Sequence, residues 1–484
     1  MNAPVDMAIA GCMESLARVL QLQRRAFDSE RYPLLAVRRD RLARLVELVT
    51  RHEDAWVAAI DRDFGHRSPH ETRLAEIYAI VAEAGHAIRH LRGWMRPRRV
   101  KTPLRLAAAS AWVVPQPLGI VGVMSAWSFP LQLALSPVVA GLAAGNRVML
   151  KPSERAPATA ALLAELAPCY FRENELAVVS GGASVGGMFA SLPFDHLFFT
   201  GAMETGRRVA VAAAENLTPV TLELGGKSPA ILDDSADFEA AATSIARGKL
   251  FNAGQACIAP DYALVPKRCV HDFVDAMRIA VDRLYACAVR NSDYASIVDT
   301  RHYTRLIGLF EDARARGARI VGLADSRSID TEYARRLPPA LILDVSDDMA
   351  LVREEIFGPL LPVETYTTID DAIAKVNARP SPLALYWFGH DRARRLRVLR
   401  ETHAGGVTVN DTLWHFAHPG LPFGGVGASG SGAYHGEHGF TRLSHLKAVL
   451  SQSRLTATRL LAPPYGRAFE RMLALLRRAS SPIL

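Results

Sequence analysis

The segment Asn252-Ala253-Gly254-Gln255-Ala256-Cys257-Ile258-Ala259-Pro260 places one cysteine in a glycine-containing turn just after a helical stretch. Such a turn can expose a nucleophilic thiolate, although inert burial is the commoner fate of a free thiol, and both readings of Cys257 stand on the turn alone. Phe199-Thr200-Gly201-Ala202-Met203-Glu204-Thr205-Gly206 runs from a strand through a glycine turn into a helix. Glycines there let the backbone approach a pyrophosphate, and the helix N-terminus supplies free N–H groups. The spacing is not the usual Gly-x-Gly-x-x-Gly, so a plain tight turn competes with nucleotide binding. Lys151-Pro152-Ser153-Glu154 follows another strand, where a Lys and an acid could hold ribose hydroxyls or simply form a solvated pair.

Composition bounds what these residues can serve. The chain has 484 residues, 49% hydrophobic and 22% charged, with Gly and Pro scattered, which excludes disordered, collagenous and coiled-coil classes and suggests two or three domains. Its net charge of +8 is dispersed. The densest basic cluster, Arg96-Pro97-Arg98-Arg99-Val100-Lys101, is too short for a nucleic-acid footprint and reads as a solvated connector, so no nucleic-acid partner is expected.

The cysteines, at 12, 169, 257, 269 and 287, are odd in number and show no Cys-x-x-Cys spacing, so neither a metal site nor a disulfide framework is expected. That points to a reducing compartment and a cytoplasmic location. Met1-Asn2-Ala3-Pro4-Val5-Asp6 lacks a basic n-region, so no secretory signal is expected. Leu106–Asn146 contains no charged side chain, 41 residues by direct count, which is ample for a membrane span. Pro115, Pro117, Pro130, Pro137, Gly119 and Gly122 cut it into pieces that read instead as buried strand, turn and buried helix.

Residues 13–60 carry Leu42, Leu45, Val46 and Val49 at helical spacing, predicting surface helices. Short apolar runs then predict strands at Ile120–Met124, Arg147–Lys151, Leu176–Ser180, His196–Thr200 and Pro219–Glu223. Leu131–Ala144, Pro157–Leu166 and Glu204–Ala214 between them read as helices. A second alternation has strands at Pro229–Leu232, Tyr262–Val265, Pro339–Leu343 and Leu383–Phe388. Its helices lie near Phe238–Leu250, His302–Arg316, Asp370–Ala378 and Asp391–Thr402. Two α/β domains with mostly parallel sheets follow, joined at Glu223-Leu224-Gly225-Gly226. Ala468–Ala479 is apolar at helical spacing with Arg471, Arg477 and Arg478 opposite, and reads as a packing or dimer-flank helix rather than a membrane contact.

Glu223-Leu224-Gly225-Gly226-Lys227-Ser228-Pro229, Gly254-Gln255-Ala256-Cys257, Glu354-Glu355-Ile356-Phe357-Gly358-Pro359 and Pro422-Phe423-Gly424-Gly425-Val426-Gly427 together resemble the signatures of aldehyde dehydrogenases, in that family's order and spacing over roughly residues 15–450. Cys257-Ile258-Ala259-Pro260-Asp261-Tyr262, Ala433-Tyr434-His435-Gly436 and Pro463-Pro464-Tyr465 resemble its class 3 branch, particularly the coniferyl aldehyde dehydrogenase-like members. The resemblance implies a Rossmann-type NAD-binding domain over 1–108 and 119–222, and an α/β catalytic domain over 223–406. It implies a small β oligomerisation element over 109–118 and 407–450, a tail over 451–484, and a homodimer.

It also implies the chemistry. Cys257 would attack an aromatic or medium-chain aliphatic aldehyde, hydride would pass to a nicotinamide, and Glu223 would activate water to hydrolyse the thioester to the acid. Lys151 and Glu154 would hold the adenosine ribose. Ser125, Trp127, Thr200, Gly201 and Gly206 would border the pyrophosphate and nicotinamide, and Glu355 and Phe357 the nicotinamide ribose and ring. An acid facing the ribose disfavours a 2′-phosphate, so NAD is the first cofactor expected, with NADP tolerated. Trp414, His415 and Phe416, read from the residues themselves, could line an aromatic entrance or equally be ordinary core.

One position departs from the family pattern. Where an Asn follows Trp and donates to the oxyanion, Ser125-Ala126-Trp127-Ser128-Phe129-Pro130 places Ser128, whose hydroxyl is shorter than an amide and not held in a plane. Losing one oxyanion donor costs about 2.7–4 kcal/mol. A slowed enzyme, a recovered donor and a catalytically impaired NAD-binding relative are therefore separate expectations. A CoA-acylating variant is a further alternative, disfavoured by the presence of Glu223.

Overall fold

The computed structural model describes residues 3–480 apart from 104, 105, 107, 325–334, 455–458 and 460. Part of the tail expected over 451–484 therefore lies outside the described residues.

The cofactor sheet has the spatial order Leu176–Val178, Arg147–Lys151, Ile120–Met124, His196–Thr200, Val220–Glu223, all parallel. The chain starts in the middle, builds outward to one side, then returns and builds to the other. This doubly wound pattern leaves a crevice at the carboxyl ends where the direction reverses, beside Met124 and Thr200. Ile120–Met124, Arg147–Lys151 and His196–Thr200 are buried at every position, as strands covered on both faces must be. Leu42, Leu45 and Val49 of helix Leu35–Arg51 are fully buried, as their spacing predicts. Helix Gln132–Ala144 is buried at all 13 positions, so the uncharged stretch serves the core. Among the described residues, no helix is long and apolar enough to cross a membrane.

The second sheet has seven strands, ordered Arg319–Gly322, Ala340–Leu343, Leu360–Tyr366, Tyr262–Pro266, Pro229–Leu232, Ala384–Phe388, Gly406–Val409, and only the first pairing is antiparallel. Strand Leu360–Tyr366 escapes sequence reading because Pro362 sits inside it. Leu360–Pro362 pair with Ala340–Ile342, and Val363–Tyr366 with Ala263–Pro266, so the proline falls where the strand changes partner.

A third sheet joins Arg98–Val100, Ser110–Pro117 and Ser444–Ser451, all antiparallel and with largely exposed outer strands.

Sheet membership departs from the sequence division at three places. Arg98–Val100 belongs to the third sheet, Gly406–Val409 closes the edge of the catalytic sheet, and Gly430–Ser431 pairs with Leu222–Glu223 on the edge of the cofactor sheet. These short strands gain their structure from distant partners, so their own residues carry little pattern.

Gly122 lies at the centre of the middle strand, and an added Cβ would come 2.6 Å from the Phe194 ring and 2.9 Å from Leu197. Gly122→Ala should therefore lower stability by about 1–3 kcal/mol through overpacking, read as a reduced thermal midpoint with NAD affinity lost in parallel. An unchanged midpoint would show that the ring moves aside.

Candidate active site

The strand ends bring the sequence-predicted residues to one edge. Ser125 continues from Met124 and its N–H donates to the Lys151 carbonyl at 3.2 Å, while the Gly201 N–H donates to the Glu223 carbonyl at 3.0 Å. Lys151, Ser125, Thr200 and Glu223 thus share the same end of adjacent strands.

Lys151 is buried, and its Nζ donates to Glu154 Oε2 at 2.9 Å and to the Pro152 carbonyl at 3.2 Å. Partial burial would raise the Glu154 carboxyl, but hydrogen bonds from Lys151 and from its own backbone N–H outweigh it and hold the group below its usual range. The solvated pair considered from sequence is a half-buried one.

Two hydroxyls at this edge, Ser125 Oγ and Thr200 Oγ1, are buried without a hydrogen-bond partner among the described residues. Helix Met203–Ala214 starts at Ala202 with no side-chain cap, which leaves its first N–H groups free. A Cβ at Gly206 would come 2.8 Å from Leu224, so that helix can lie close to the strand. Orphaned hydroxyls at a switch point and an uncapped helix start match the hydroxyl and phosphate groups of a dinucleotide.

Trp127 packs edge-on against His302 at 4.9 Å and Phe357 at 5.3 Å, and against Phe64 at 6.2 Å. Phe357 adopts φ 52, a left-handed conformation unusual outside glycine, in the loop after helix Ala350–Arg353. That loop is tied down by Lys227, which ion-pairs with Asp261 and donates to the Leu351 and Glu354 carbonyls at 2.8 and 3.0 Å. Asp261 accepts from the Ile356 N–H at 2.9 Å, and Arg305 donates to the Glu355 and Ile356 carbonyls. The Glu355 carboxyl accepts from the Gly226 N–H and lies over Gly225, where any Cβ would strike it. Burial raises Glu355 to about 8, with Asp261 adding to the shift.

Cys257 follows a turn that only a few backbone conformations allow. Asn252, Ala253 and Gly254 all take positive φ, and a Cβ at Gly254 would strike the Gly358 carbonyl. The Asn252 amide donates to the Ser128 and Gln255 carbonyls at 2.9 and 3.0 Å, and Gln255 donates to the Asn252 and Ser296 carbonyls, each at 3.0 Å.

The backbone N–H groups of Cys257 and Ile258 face the sulfur. Burial nevertheless pushes the thiol up to about 12, helped by the carboxyls of Glu355 and then Glu223. Glu223 is 3% exposed, and burial holds it well above the usual carboxylate range, with Arg442 opposing. Neither of its oxygens has a hydrogen-bond partner among the described residues. A desolvated, unpaired carboxyl of this kind is suited to take a proton.

Aromatic rings extend from the same place. Tyr386 bonds the Ile258 carbonyl, contacts His415 at 6.1 Å, and His415 stacks on Phe423 at 6.0 Å. Phe416 lies on Phe423 at 4.9 Å, Trp414 is 54% exposed and His415 is buried, so the three entrance candidates occupy quite different depths.

Sequence reading missed Asn252 as a positioning residue, the Lys227–Asp261 pair, and Arg67 and Glu76 behind Ser128. Asn252 lies inside a motif already noticed, but its role shows only through the Ser128 carbonyl, 124 residues away.

A doubly wound sheet whose strand ends gather Ser125, Lys151, Thr200 and Glu223 defines the class of dinucleotide-dependent oxidoreductases. The sequence matches the aldehyde dehydrogenase family over residues 11–449, and the chain belongs to that family, whose members oxidise aldehydes with NAD(P). It is 49% identical over 461 residues to a Pseudomonas aeruginosa protein named "Probable coniferyl aldehyde dehydrogenase", covering 95% of this chain and 96% of the relative. It is 44% identical to the coniferyl aldehyde dehydrogenase of a Pseudomonas species, covering 96% of each. Among solved structures, substrate-bound Staphylococcus aureus AldH superposes with a TM-score of 0.89 at 35% identity, covering 95% of this chain and 99% of that one. An indole-3-acetaldehyde dehydrogenase of P. syringae, in complex with NAD+ and IAA, gives 0.83 at 26% identity, covering 91% and 89%.

Because the charged Glu355 carboxylate opposes ionisation of Cys257, Glu355→Gln should lower the thiol pKa. At pH 9 Glu355 is ionised in the wild type, so the variant should be alkylated faster by iodoacetamide, followed by mass spectrometry of the Cys257 peptide. Equal or slower labelling would remove Glu355 as an electrostatic neighbour of the sulfur.

Proposed function

We propose that the protein oxidises aromatic aldehydes of the hydroxycinnamaldehyde type to their acids, with Cys257 as nucleophile and Glu223 as general base. The observation that carries this reading is the pairing of Cys257, its sulfur faced by two backbone N–H groups, with a buried Glu223 whose oxygens have no partner. Identity to coniferyl aldehyde dehydrogenases and the ring-lined surroundings of Phe416 and Phe423 support the substrate class.

The Cys257 thiol gives its proton to water, and its sulfur bonds to the carbonyl carbon while the carbonyl π electrons move to oxygen, which becomes an oxyanion. The Cys257 N–H and the Ser128 hydroxyl donate to that oxygen. NAD, when bound, supplies the hydride acceptor. Lys151 and Glu154 hold its adenosine ribose; Ser125, Trp127, Thr200, Gly201 and Gly206 border the pyrophosphate and nicotinamide; Glu355 and Phe357 hold the nicotinamide end. Loss of hydride from carbon leaves a Cys257 thioester. Glu223 then removes a proton from water, the resulting hydroxide attacks the thioester carbon, the C–S bond breaks, and the acid leaves. Glu154 beside the ribose favours NAD over NADP by charge. The exposed three-stranded sheet, with Val100, Leu446 and Leu450 each more than 40% exposed, supports a homodimer assembled through it.

Glu223→Gln should give a burst of one NADH per site from cinnamaldehyde and then stall, with steady turnover down about 10²–10⁴-fold. A linear trace without a burst would place hydrolysis elsewhere. Ser128→Asn should form NADH about tenfold or more faster in the burst, because a planar amide replaces a rotatable hydroxyl. A rate no faster than wild type would show that Ser128 is not limiting.

A further inference from the structure

A buried ion pair holds the Ser128 turn from behind. The side chains of Arg67 and Glu76 are both 0% exposed, and Arg67 Nη1 donates to Glu76 Oε1 at 2.6 Å. The same nitrogen donates to the Ser128 carbonyl at 3.4 Å. The guanidinium lies 5.1 Å from the Phe64 ring centre and 4.7 Å from that of Phe129, while Nε and Nη2 have no hydrogen-bond partner. Glu76 Oε2 accepts from the N–H groups of Leu131 and Gln132 at 2.7 and 3.0 Å, at the start of helix Gln132–Ala144. The Asn252 amide also donates to the Ser128 carbonyl, at 2.9 Å.

Glu76 lies on Arg73–Tyr78, a π-helical turn inserted between helices Pro69–Thr72 and Ala79–Trp94. Such irregular turns concentrate at functional sites. Buried ion pairs rarely add net stability, because desolvating two charges costs about as much as their attraction returns. A pair of this kind, on an irregular turn and aimed at one loop, calls for a role beyond stability.

We propose that Arg67 and Glu76 are positioning residues that fix the backbone of residues 128–132 and so aim the Ser128 hydroxyl at the substrate oxygen. This rests on Ser128 acting as an oxyanion donor. An asparagine reaches further from the backbone and presents its donor from a planar group. Serine places its oxygen one bond beyond Cβ, so the main chain sets where the hydroxyl lies. A displacement of about 1 Å in such a group costs on the order of 10²-fold in rate. The Ser128 enzyme depends on the clamp for that reason.

The test is single-turnover NADH formation from cinnamaldehyde at saturating NAD, with NAD affinity measured separately by tryptophan fluorescence. Glu76→Gln keeps the size and an acceptor, and Arg67→Lys keeps the charge with a different reach. Each should slow NADH formation at least about tenfold while NAD affinity and thioester hydrolysis stay within about twofold. In a Ser128→Ala background, where no hydroxyl remains to be aimed, Glu76→Gln should add no further loss. The proposal falls if Ser128→Ala slows the enzyme while Glu76→Gln alone does not. It also falls if the two losses simply multiply, which is what general loosening of the fold would give. Ser128→Ala at the wild-type rate would instead remove the reading of Ser128 as donor.

Discussion

The site depends on ionisable groups drawn out of water to different degrees: the Glu223 carboxyl is buried, and the Cys257 thiol and the Glu355 carboxyl are half-buried. Each carries a raised pKa whose largest cause is desolvation, and the two carboxyls add to the shift of the thiol. Each would be more stable hydrated and apart. The surrounding structure resists that tendency: parallel strands end at a common edge, Asn252, Ala253 and Gly254 hold the turn before Cys257, and Lys227 with Asp261 fixes the Glu355 loop. What enters the site and changes its local charge shifts these groups again.

Much of this was legible in the sequence. The five parallel strands of this sheet could be placed within a residue or two, because strands buried on both faces are almost purely apolar; of the helices between them, Pro157–Tyr170 runs four residues past its expected end and Ala183–Ala190 went unread. Cys257, Glu223, Lys151 and Glu355 announced themselves through motifs. Strand Leu360–Tyr366 did not, since a proline in its middle argues for a loop until the change of partner is seen. Gly430–Ser431 is two residues long, and its pairing is with a strand more than 200 residues earlier. Arg67 and Glu76 look like any charged residues of a surface helix; what makes them different is a carbonyl at residue 128, and no local pattern encodes it.

Ser128 shows how one substitution redistributes responsibility. With a long, planar donor, precision resides in the side chain. With a hydroxyl as donor, as proposed for Ser128, it moves to the main chain and to whatever immobilises it, here Asn252 and Arg67, which both donate to the Ser128 carbonyl. Asn252 also ties the turn before Cys257 to the Ser128 turn through that carbonyl.

The strand that ends in Glu223 is sealed on its outer edge by Gly430–Ser431, and the Leu224 N–H donates to the Ser429 carbonyl. During synthesis, that edge stays open until Gly430–Ser431 have emerged, long after the five parallel strands could have formed. The surroundings of Glu223 are therefore completed late, by a contact of very high sequence separation whose closure is entropically slow. Nascent chains that stop short of Gly430 would carry the parallel strands with the Glu223 edge still unsealed.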